Sequence, residues 1–196
     1  PEVKEEVKEE VVTPDVSVFA DMSDSHWAYE NVAKLKELGI VNGDDAGKFN
    51  PSANVTREQF LKMLIEAADI EALEDENVFA DVIADAWYKP YVLKAKNFGI
   101  VNGVSDTEFG IGSNITRQDM AVITRNVLTY FNVTLSKKDI TFTDNDQIAE
   151  YALDSVSRLV AKGIINGYDD NSFKPKGFAT RAEAAKMLYG ILPLIK

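Results

Sequence analysis

The segment GYDDNSFKPKGFATRAEAAKML, which runs from Gly167 to Leu188, predicts a loop that leads into a helix. Its first half is rich in Asp, Asn, Gly, Lys and Pro, and its second half has the apolar spacing of a helix. The predicted helix begins at Thr180 and Arg181. An arginine is unfavourable at that point, because the N-terminus is the positive end of the helix dipole. Its presence therefore indicates a role other than stabilising the helix.

The same arrangement of residues occurs three times along the chain. Each copy has Phe-x-Asp, then a block of the form Gly-Ile-Val/Ile-Asn-Gly, then a Phe 10 residues and a Thr-Arg pair 17 residues after the first Gly of the block. The copies contain Phe19, Asp21, block 39–43, Phe49 and Thr56-Arg57; Phe79, Asp81, block 99–103, Phe109 and Thr116-Arg117; and Phe142, Asp144, block 163–167, Phe173 and Thr180-Arg181. Landmarks kept in register in this way predict a protein of three tandem repeats.

The composition excludes several classes of function. With 196 residues and 45% hydrophobic content, the chain can bury a core. Its net charge of −11 argues against nucleic acid or an anionic membrane as the partner. The absence of cysteine excludes disulfides and thiolate metal sites, and it is compatible with an exported bacterial protein. No apolar run is long enough to cross a bilayer, so we expect no membrane insertion, and we expect no cofactor and no metal.

The repeats set the expected organisation of the chain. Residues 1–15 hold an excess of Glu and no aromatic residue, which predicts an acidic linker. The repeats then occupy residues 16–77, 78–139 and 140–196 and share one compact body. Because no signal peptide precedes Pro1, we expect the chain to be covalently part of a larger protein whose other domains lie upstream of Pro1.

Each repeat is predicted to contain an extended segment, a helix, a loop and a second helix. In the first repeat Asp24 or Ser25 is expected to cap a helix that runs to Leu38, and Gly39 is expected to end it in the left-handed conformation. Pro90 falls near the start of the corresponding helix of the second repeat, where its missing N–H costs little.

The second helix of each repeat starts at the threonine. Thr56 with Gln59 and Thr180 with Glu183 fit a capping box, and Thr116 is followed by the shorter Asp119. Behind each cap runs an apolar stripe: Phe60, Met63, Leu64 and Ala67; Met120, Ile123 and Val127; Ala184, Met187, Leu188 and Ile191. The simplest way to bury such equivalent stripes is to pack them together. We therefore predict an all-α, mainly helical fold with long loops, in which the repeats form a pseudo-threefold trimer around a central three-helix bundle.

These motifs resemble the S-layer homology domain family, and block 180–183 spells its Thr-Arg-Ala-Glu signature. The resemblance extends over roughly Val16 to Leu192. It implies prongs around a central bundle with grooves between them. It also implies an extracellular location in a bacterial cell wall or S-layer, and non-covalent anchoring to secondary cell-wall polysaccharide, often one that carries pyruvylated N-acetylmannosamine.

The arginines Arg57, Arg117 and Arg181 are the main candidates for binding that polysaccharide. Each falls at the first helical position, where a guanidinium beside unpaired backbone N–H groups would suit a planar carboxylate such as a pyruvate ketal. The alternative is that each arginine forms an ordinary ion pair with a nearby Asp or Glu. The occurrence of three copies at fixed spacing favours binding.

The aspartates of Phe-x-Asp and the tryptophans are further candidates. Asp21, Asp81 and Asp144 would accept hydrogen bonds from sugar hydroxyls, as the resemblance implies, or would instead bond their own backbone in a turn. Trp27 and Trp87 offer a face for a sugar ring, although a core position is the more common role for Trp in a single site.

The last candidates are the glycines that end the first two Gly-Ile-Val-Asn-Gly blocks, and the repeats also differ in one aromatic residue. Gly43 and Gly103 are first of all turn residues whose backbone N–H groups could also meet a ligand. The third repeat has Tyr151 where the others have Trp. We therefore expect the groove that uses Asp144 and Tyr151 to be the weakest, with Arg181 mainly structural.

Other classes of function are less well supported. The Asp-rich loops lack the alternating ligands of an EF-hand, so a calcium site is not expected there. With a single histidine, His26, and no cysteine, the chain is poorly equipped for catalysis, and we predict that it is not an enzyme. The alternative function is a structural or self-assembly module of a surface layer, whose grooves bind protein.

Overall fold

A computed structural model describes residues 18–71 and 79–196 of the chain. The described residues form six α-helices: α1 Tyr29–Glu37, α2 Arg57–Ala68, α3 Lys89–Asn97, α4 Arg117–Tyr130, α5 Glu150–Ala161 and α6 Arg181–Ile195. A 3-10 helix, Asn145–Gln147, precedes α5. Within these residues there is no strand, only isolated bridges between loops. The predicted all-α fold is confirmed. The acidic linker 1–15 lies outside the described residues, and the repeat boundaries stay a prediction.

The first helix of each repeat follows the predicted pattern except at the start of α1. This helix begins at Tyr29 after Ala28, so the predicted caps Asp24 and Ser25 were wrong. The hydroxyl of Ser25 instead lies 2.7 Å from that of Ser23, in a turn before the helix. At its other end the prediction is confirmed, because Gly39 follows the helix with φ of 73°. Pro90 lies in the first turn of α3, also as predicted.

The second helices, α2, α4 and α6, are called the central helices. Both predicted capping boxes are present, in α2 and in α6. In α4 the hydroxyl of Thr116 accepts a hydrogen bond from the Asp119 N–H, but it also donates to the carboxylate of Asp119 at 2.7 Å. The shorter Asp side chain therefore bonds the cap hydroxyl, and α4 has no full capping box, as expected for this poorer match.

The apolar stripes of the central helices form the core. Every residue of the three predicted stripes is buried. The central helices contact one another. Each also packs against the first helix of the next repeat, with the first repeat taken to follow the third: α3 on α2, α5 on α4 and α1 on α6. The loop residues Phe49, Phe109 and Phe173 are buried in the same core. Burying each of these rings contributes about 1.5–3 kcal/mol.

The segments just before the central helices are joined in a closed ring of backbone hydrogen bonds. Val55 donates to Ala179, Ala179 to Ile115 and Ile115 to Val55, each at 3.0 Å. Each repeat thus donates one bond and accepts one. Such a ring is compatible with the predicted pseudo-threefold packing, and the symmetry itself stays a prediction.

Candidate functional site

Each of the candidate arginines reaches from its own repeat into the loop of the next one. The Nε atoms donate to the carbonyl oxygens of the loop phenylalanines: Arg57 to Phe109 at 3.0 Å, Arg117 to Phe173 at 2.8 Å and Arg181 to Phe49 at 2.7 Å. These hydrogen bonds run from the first repeat to the second, from the second to the third, and from the third back to the first. The arginines therefore lie in the grooves between repeats, which is where the resemblance implies the binding surfaces.

The backbone N–H groups of the arginines are not unpaired, so that part of the predicted anion site was wrong. Each donates to a carbonyl of a neighbouring repeat: Arg57 to Ser113 at 3.0 Å, Arg117 to Gly177 at 2.9 Å and Arg181 to Ala53 at 2.9 Å. Carbonyl groups of the neighbouring repeats thus bind N–H groups that an isolated helix N-terminus would leave free.

All three guanidinium nitrogens of Arg117 donate hydrogen bonds to groups of the protein. Its Nη1 lies 2.7 Å from Oε1 of Glu183, and its Nη2 lies 3.3 Å from the carbonyl oxygen of Asn166. The guanidinium also lies over the ring of Tyr168, 4.6 Å from its centroid.

Arg57 makes a longer ion pair, with 3.7 Å between Nη1 and Asp119. Burial lowers the pKa of Arg57, and Asp119 opposes that effect. Arg57 and Arg117 therefore form the ion pairs of the alternative interpretation, and their binding of glycan stays a prediction.

Arg181 is less constrained than the other two arginines. Its Nη2 lies 3.3 Å from the carbonyl oxygen of Asn42. Among the described residues, no carboxylate lies at ion-pair distance from it, and its side chain is only half-buried.

The aspartates of Phe-x-Asp hold the loops that meet the arginines. Asp21 accepts from the N–H groups of Phe49 and Asn50, both at 2.7 Å. Asp81 does the same for 109–111, and Asp144 for 173–174. Burial alone would raise the pKa of Asp81, but the three N–H groups outweigh it and hold that pKa below its ordinary value. These bonds fix the carbonyl that each arginine binds; a direct contact with sugar stays a prediction for the aspartates.

The tryptophans lie on the surface. Trp27 is 58% exposed and Trp87 is 52% exposed, so the expectation that a core role is the more common one was wrong here. Tyr151, which takes their place in the third repeat, is 60% exposed. A flat aromatic face that remains open to solvent is available for a ligand.

One groove contains a defined cavity of about 330 Å³, which we call the Trp27 cavity. All three repeats line it: Trp27 from the first, Arg117 from the second, and Tyr168, Glu183 and Lys186 from the third. The ammonium of Lys186 lies 5.8 Å from the centroid of the Trp27 ring. An aromatic wall thus faces a set of charged and polar groups, the mixture that small-molecule sites use.

Sequence reasoning missed the roles of Tyr168, Glu183 and Lys186 in this cavity. Tyr168 follows the third glycine block, where the other repeats have Asp44 and Val104, and this difference was the available signal. Its hydroxyl donates to Glu183 at 2.6 Å. Burial and then this hydrogen bond raise the pKa of Tyr168 to about 12.

Tyr151 belongs to a different groove from the one predicted. Its hydroxyl donates to Asp119 at 2.7 Å and accepts from Gln118 at 3.0 Å. It therefore lies with Arg57, in what we call the Arg57 groove, whereas Asp144 holds the loop that faces Arg117. The expectation that Asp144 and Tyr151 share one groove was wrong. The reason is that a first helix packs on the central helix of the preceding repeat, which separates Tyr151 from its own loop.

Gly43 and Gly103 are required by close packing. A Cβ at Gly43 would lie 2.9 Å from the ring of Phe19. A Cβ at Gly103 would lie 2.4 Å from the Glu108 carbonyl oxygen and 2.6 Å from the ring of Phe79. This accounts for glycine at both positions without a ligand, and a contact with glycan through their N–H groups stays a prediction.

Two further findings concern metals and membranes. Within residues 18–71 and 79–196, no three His, Asp or Glu side chains cluster as they would around a metal ion. In the same part of the chain, no helix has both the length and the apolar character needed to cross a bilayer.

The fold of tandem helical repeats and the grooves between them define a class of repeat module, and the sequence comparisons identify it. The model of the S-layer homology domain matches residues 18–61, 78–121 and 141–185. The chain therefore belongs to the S-layer homology domain family, as the sequence predicts.

The relatives are mostly much longer proteins. The chain is 33% identical over 178 residues to Exoglucanase XynX of Acetivibrio thermocellus, which covers 89% of this chain and 16% of that protein. It is 32% identical to the surface-layer 125 kDa protein of Lysinibacillus sphaericus, over 82% of this chain and 14% of that protein. It is 28% identical to a cellulosome-anchoring protein of Acetivibrio thermocellus, over 76% of this chain and 34% of that protein.

Proposed function

We propose that this chain is a non-catalytic anchoring module that binds secondary cell-wall polysaccharide in the grooves between its repeats. The polymer is one that contains pyruvylated N-acetylmannosamine. The observation that carries this proposal is the Trp27 cavity, an open aromatic wall opposite charged and polar groups contributed by all three repeats.

The chemistry of the Trp27 cavity suits a sugar. The exposed ring of Trp27 can stack on the apolar C–H face of a pyranose, which carbohydrates present beside their hydroxyl groups. Asn166, Tyr168 and Lys186 line the same cavity and offer donors and acceptors for hydroxyl and acetamido groups. A volume of about 330 Å³ is at the lower end of the range for ligand sites, which suits one or two sugar residues rather than a long stretch of polymer.

The relatives support the location and the context of this function. Surface-layer and cellulosome-anchoring proteins are among them, and the domain acts at the bacterial cell surface. Because the chain spans less than a fifth of the exoglucanase and of the surface-layer protein, we propose that it is joined to a larger surface protein. Any catalytic activity would then belong to the rest of that protein.

The direct test is retention of the chain on purified cell-wall polymer from a bacterium that has such surface proteins. We expect retention on the native polymer and a large loss after the pyruvate groups are removed chemically. Trp27→Ala should weaken retention, while Tyr189→Ala, which removes an exposed aromatic outside the cavity, should not.

A different result would favour the structural alternative. If the chain ignored the polymer but formed concentration-dependent assemblies that Trp27→Ala abolished, the grooves would bind protein instead of glycan. Analytical ultracentrifugation of the same variants distinguishes these two outcomes.

A further inference from the structure

An Asn-Gly pair ends each of the three glycine blocks: Asn42-Gly43, Asn102-Gly103 and Asn166-Gly167. All three asparagines are exposed, and each lies in a loop. Asparagine is among the thermally labile residues. A glycine after it has no side chain, so the backbone nitrogen of the glycine is easily approached. These pairs are therefore candidates for spontaneous deamidation, a reaction that the proposed function does not use.

Deamidation of an Asn-Gly pair converts the asparagine amide into a carboxylate. The glycine N–H first loses its proton to solvent, and the nitrogen forms a bond to Cγ of the asparagine side chain while ammonia leaves. Water then opens the resulting succinimide ring at either carbonyl carbon, which gives aspartate or isoaspartate. Overall the chain takes up water and releases ammonia, so the reaction requires no enzyme and no cofactor.

The attacking nitrogens are not held by hydrogen bonds. Within residues 18–71 and 79–196, the N–H groups of Gly43, Gly103 and Gly167 donate to no other group of the protein. No hydrogen bond therefore has to break before the glycine nitrogen attacks.

Two of the pairs have an arginine at the atom where charge develops. Removing the proton from a glycine nitrogen places negative charge on the carbonyl oxygen of the preceding asparagine, because both atoms belong to one conjugated peptide group. Nη2 of Arg117 donates to this oxygen of Asn166 at 3.3 Å, and Nη2 of Arg181 donates to that of Asn42 at 3.3 Å. A cation in this position stabilises the anion and so favours the first step.

The pair in the second repeat has a less favourable setting. Among the described residues no arginine bonds the carbonyl oxygen of Asn102, since Arg57 makes its contacts elsewhere. A Cβ at Gly103 would lie 2.4 Å from the carbonyl oxygen of Glu108 and 2.6 Å from that of Ser105. Such close carbonyl dipoles oppose negative charge on the glycine, and they leave little room for a succinimide ring.

Asn166 has a second cation beside it. In the orientation of its amide that satisfies both neighbours, the nitrogen donates to the carbonyl oxygen of Ile165 at 3.1 Å and Oδ1 accepts from the ammonium of Lys186 at 3.3 Å. The ammonium draws electrons away from Cγ, the atom that the glycine nitrogen attacks. Glu183 offsets part of the charge of Arg117, but Lys186 forms no ion pair with any described carboxylate.

We propose that Asn166-Gly167 is a site of spontaneous deamidation, and that its product makes the Trp27 cavity unfit for its ligand. In the folded chain this pair reacts fastest. Asn42-Gly43 follows, because it has only one cation, and Asn102-Gly103 is slowest. The chemistry depends on the contacts of the loops alone, whereas the loss of glycan binding rests on the proposed function.

The product changes the cavity in two ways. A carboxylate at position 166 adds negative charge to a cavity that Glu183 already lines, and it removes the donor of the amide. Isoaspartate also adds a methylene group to the backbone before Gly167. That backbone is closely packed, because a Cβ at Gly167 would lie 2.6 Å from the ring of Phe142. The loop therefore has to move, and the shape of the cavity changes with it.

The measurement is the deamidation rate of each pair in the full chain, kept in mildly alkaline buffer with and without guanidinium chloride. Trypsin places the pairs on separate peptides, 37–48, 97–117 and 163–176, and fragmentation in the mass spectrometer locates the modified asparagine. The ratio of the folded rate to the unfolded rate removes the effect of neighbouring sequence. We expect this ratio to be about twofold to fivefold higher for Asn42 than for Asn102, and higher again for Asn166.

A lysine variant tests the contribution of the second cation. Lys186→Gln should lower the ratio for Asn166 by about twofold to fivefold and leave that for Asn42 unchanged. Lys162→Gln is the matched control, because it removes an exposed cation that does not line the Trp27 cavity, and it should change neither ratio. The thermal unfolding midpoint shows that both variants are folded.

The effect on binding is measured by passing the aged chain over purified cell-wall polymer. We expect the unretained fraction to be enriched in chains that carry aspartate or isoaspartate at position 166. The inference is overturned if the ratio for Asn102 equals or exceeds that for Asn166, if Lys186→Gln changes nothing, or if deamidated and intact chains are retained alike. Failure of the proposed function looks different. In that case the rates follow the predicted order, but the intact chain is not retained on the polymer at all.

Discussion

Arg181 donates its Nε hydrogen to the carbonyl oxygen of Phe49 at 2.7 Å, although the two residues lie 132 positions apart in the sequence. The bond joins the last central helix to the loop of the first repeat. Together with the bonds from Arg57 to Phe109 and from Arg117 to Phe173, it makes the arginines part of the contact between repeats. Their role in stability therefore has to be separated from any role in binding.

We expect Arg117→Ala to destabilise the fold. The substitution leaves the Phe173 carbonyl without its donor and Glu183 without its ion-pair partner, and both lie in a largely buried place. The free energy of unfolding should fall by about 2–4 kcal/mol. Urea denaturation measures this directly, and Lys176→Ala, which removes an exposed cation nearby, is the matched control. Unchanged stability would show that these contacts of Arg117 do not hold the repeats together.

Trp27→Ala should weaken ligand binding but leave the stability of the fold almost unchanged. Because more than half of the Trp27 surface is exposed, its removal should change the free energy of unfolding by less than about 1 kcal/mol. Affinity for the wall glycan should fall on the order of tenfold through lost stacking, and Trp27→Phe should recover part of it. Calorimetric titration gives both affinity and stoichiometry. A variant that unfolds easily yet binds normally would place the ring in the core after all.

Gly103→Ala should be costly, and a second glycine shows why. Gly99 and Gly103 both have positive φ, 67° and 83°, so alanine is strained at either position. At Gly99 an added Cβ meets nothing within 4 Å, whereas at Gly103 it collides with the Glu108 backbone and the Phe79 ring. We expect losses of about 1–2 kcal/mol for Gly99→Ala and at least about 3 kcal/mol for Gly103→Ala. If thermal unfolding showed equal losses of stability for the two variants, the loop around Gly103 would be able to move aside without an energetic cost.

The Arg57 groove should bind ligand less well than the Trp27 cavity. The hydrogen bonds from Tyr151 to Asp119 and Gln118 occupy polar groups that a sugar would otherwise use. Crystals soaked with wall disaccharide should therefore show density beside Trp27 and none beside Tyr151. Tyr151→Phe, which removes the hydroxyl and keeps the ring, should raise the stoichiometry in calorimetry. Full occupancy beside Tyr151 in the wild-type chain would contradict this prediction.

Alkaline pH should lower the stability of the fold through the hydroxyl groups of Tyr151 and Tyr168. Burial and hydrogen bonds to carboxylates raise the pKa of Tyr151 and of Tyr168 from 10.0 to about 12. Between those pH values the unfolded chain loses these protons while the folded chain keeps them, so stability falls as pH rises from 10 to 12. The unfolding free energy at pH 9 and at pH 11, compared with that of a Tyr151→Phe and Tyr168→Phe double variant, isolates this effect. The double variant should show the smaller decrease.

Much of the fold follows from local patterns in the sequence. The spacing of landmarks predicts three repeats, and the threonine caps and apolar stripes predict where the central helices begin and which face they bury. These features depend on residues a few positions apart. The start of α1 was harder to predict, because a turn at 23–26 competes for the side chains that could cap it.

The site was only partly predictable, because its contacts cross between repeats. Sequence identifies Arg117 and Trp27 as candidates, but it does not show that they share a cavity with Glu183. Which first helix packs on which central helix decides that question, and it also moves Tyr151 beside Asp119. The exposure of Trp27 likewise depends on this packing and not on its neighbours in the chain.

The ring formed by Val55, Ala179 and Ile115 has a consequence for the order in which the molecule forms. The first repeat can complete this ring only after residue 179 has been synthesised, since Ala179 accepts the hydrogen bond of Val55. Contacts between such distant positions form slowly, because the entropy of closing the long intervening chain is lost before any bond is gained. A growing chain therefore passes through a long period in which the apolar stripes of α2 and α4 exist without the third helix that covers them. Apolar stripes that are exposed in this way make a partly folded chain prone to aggregation.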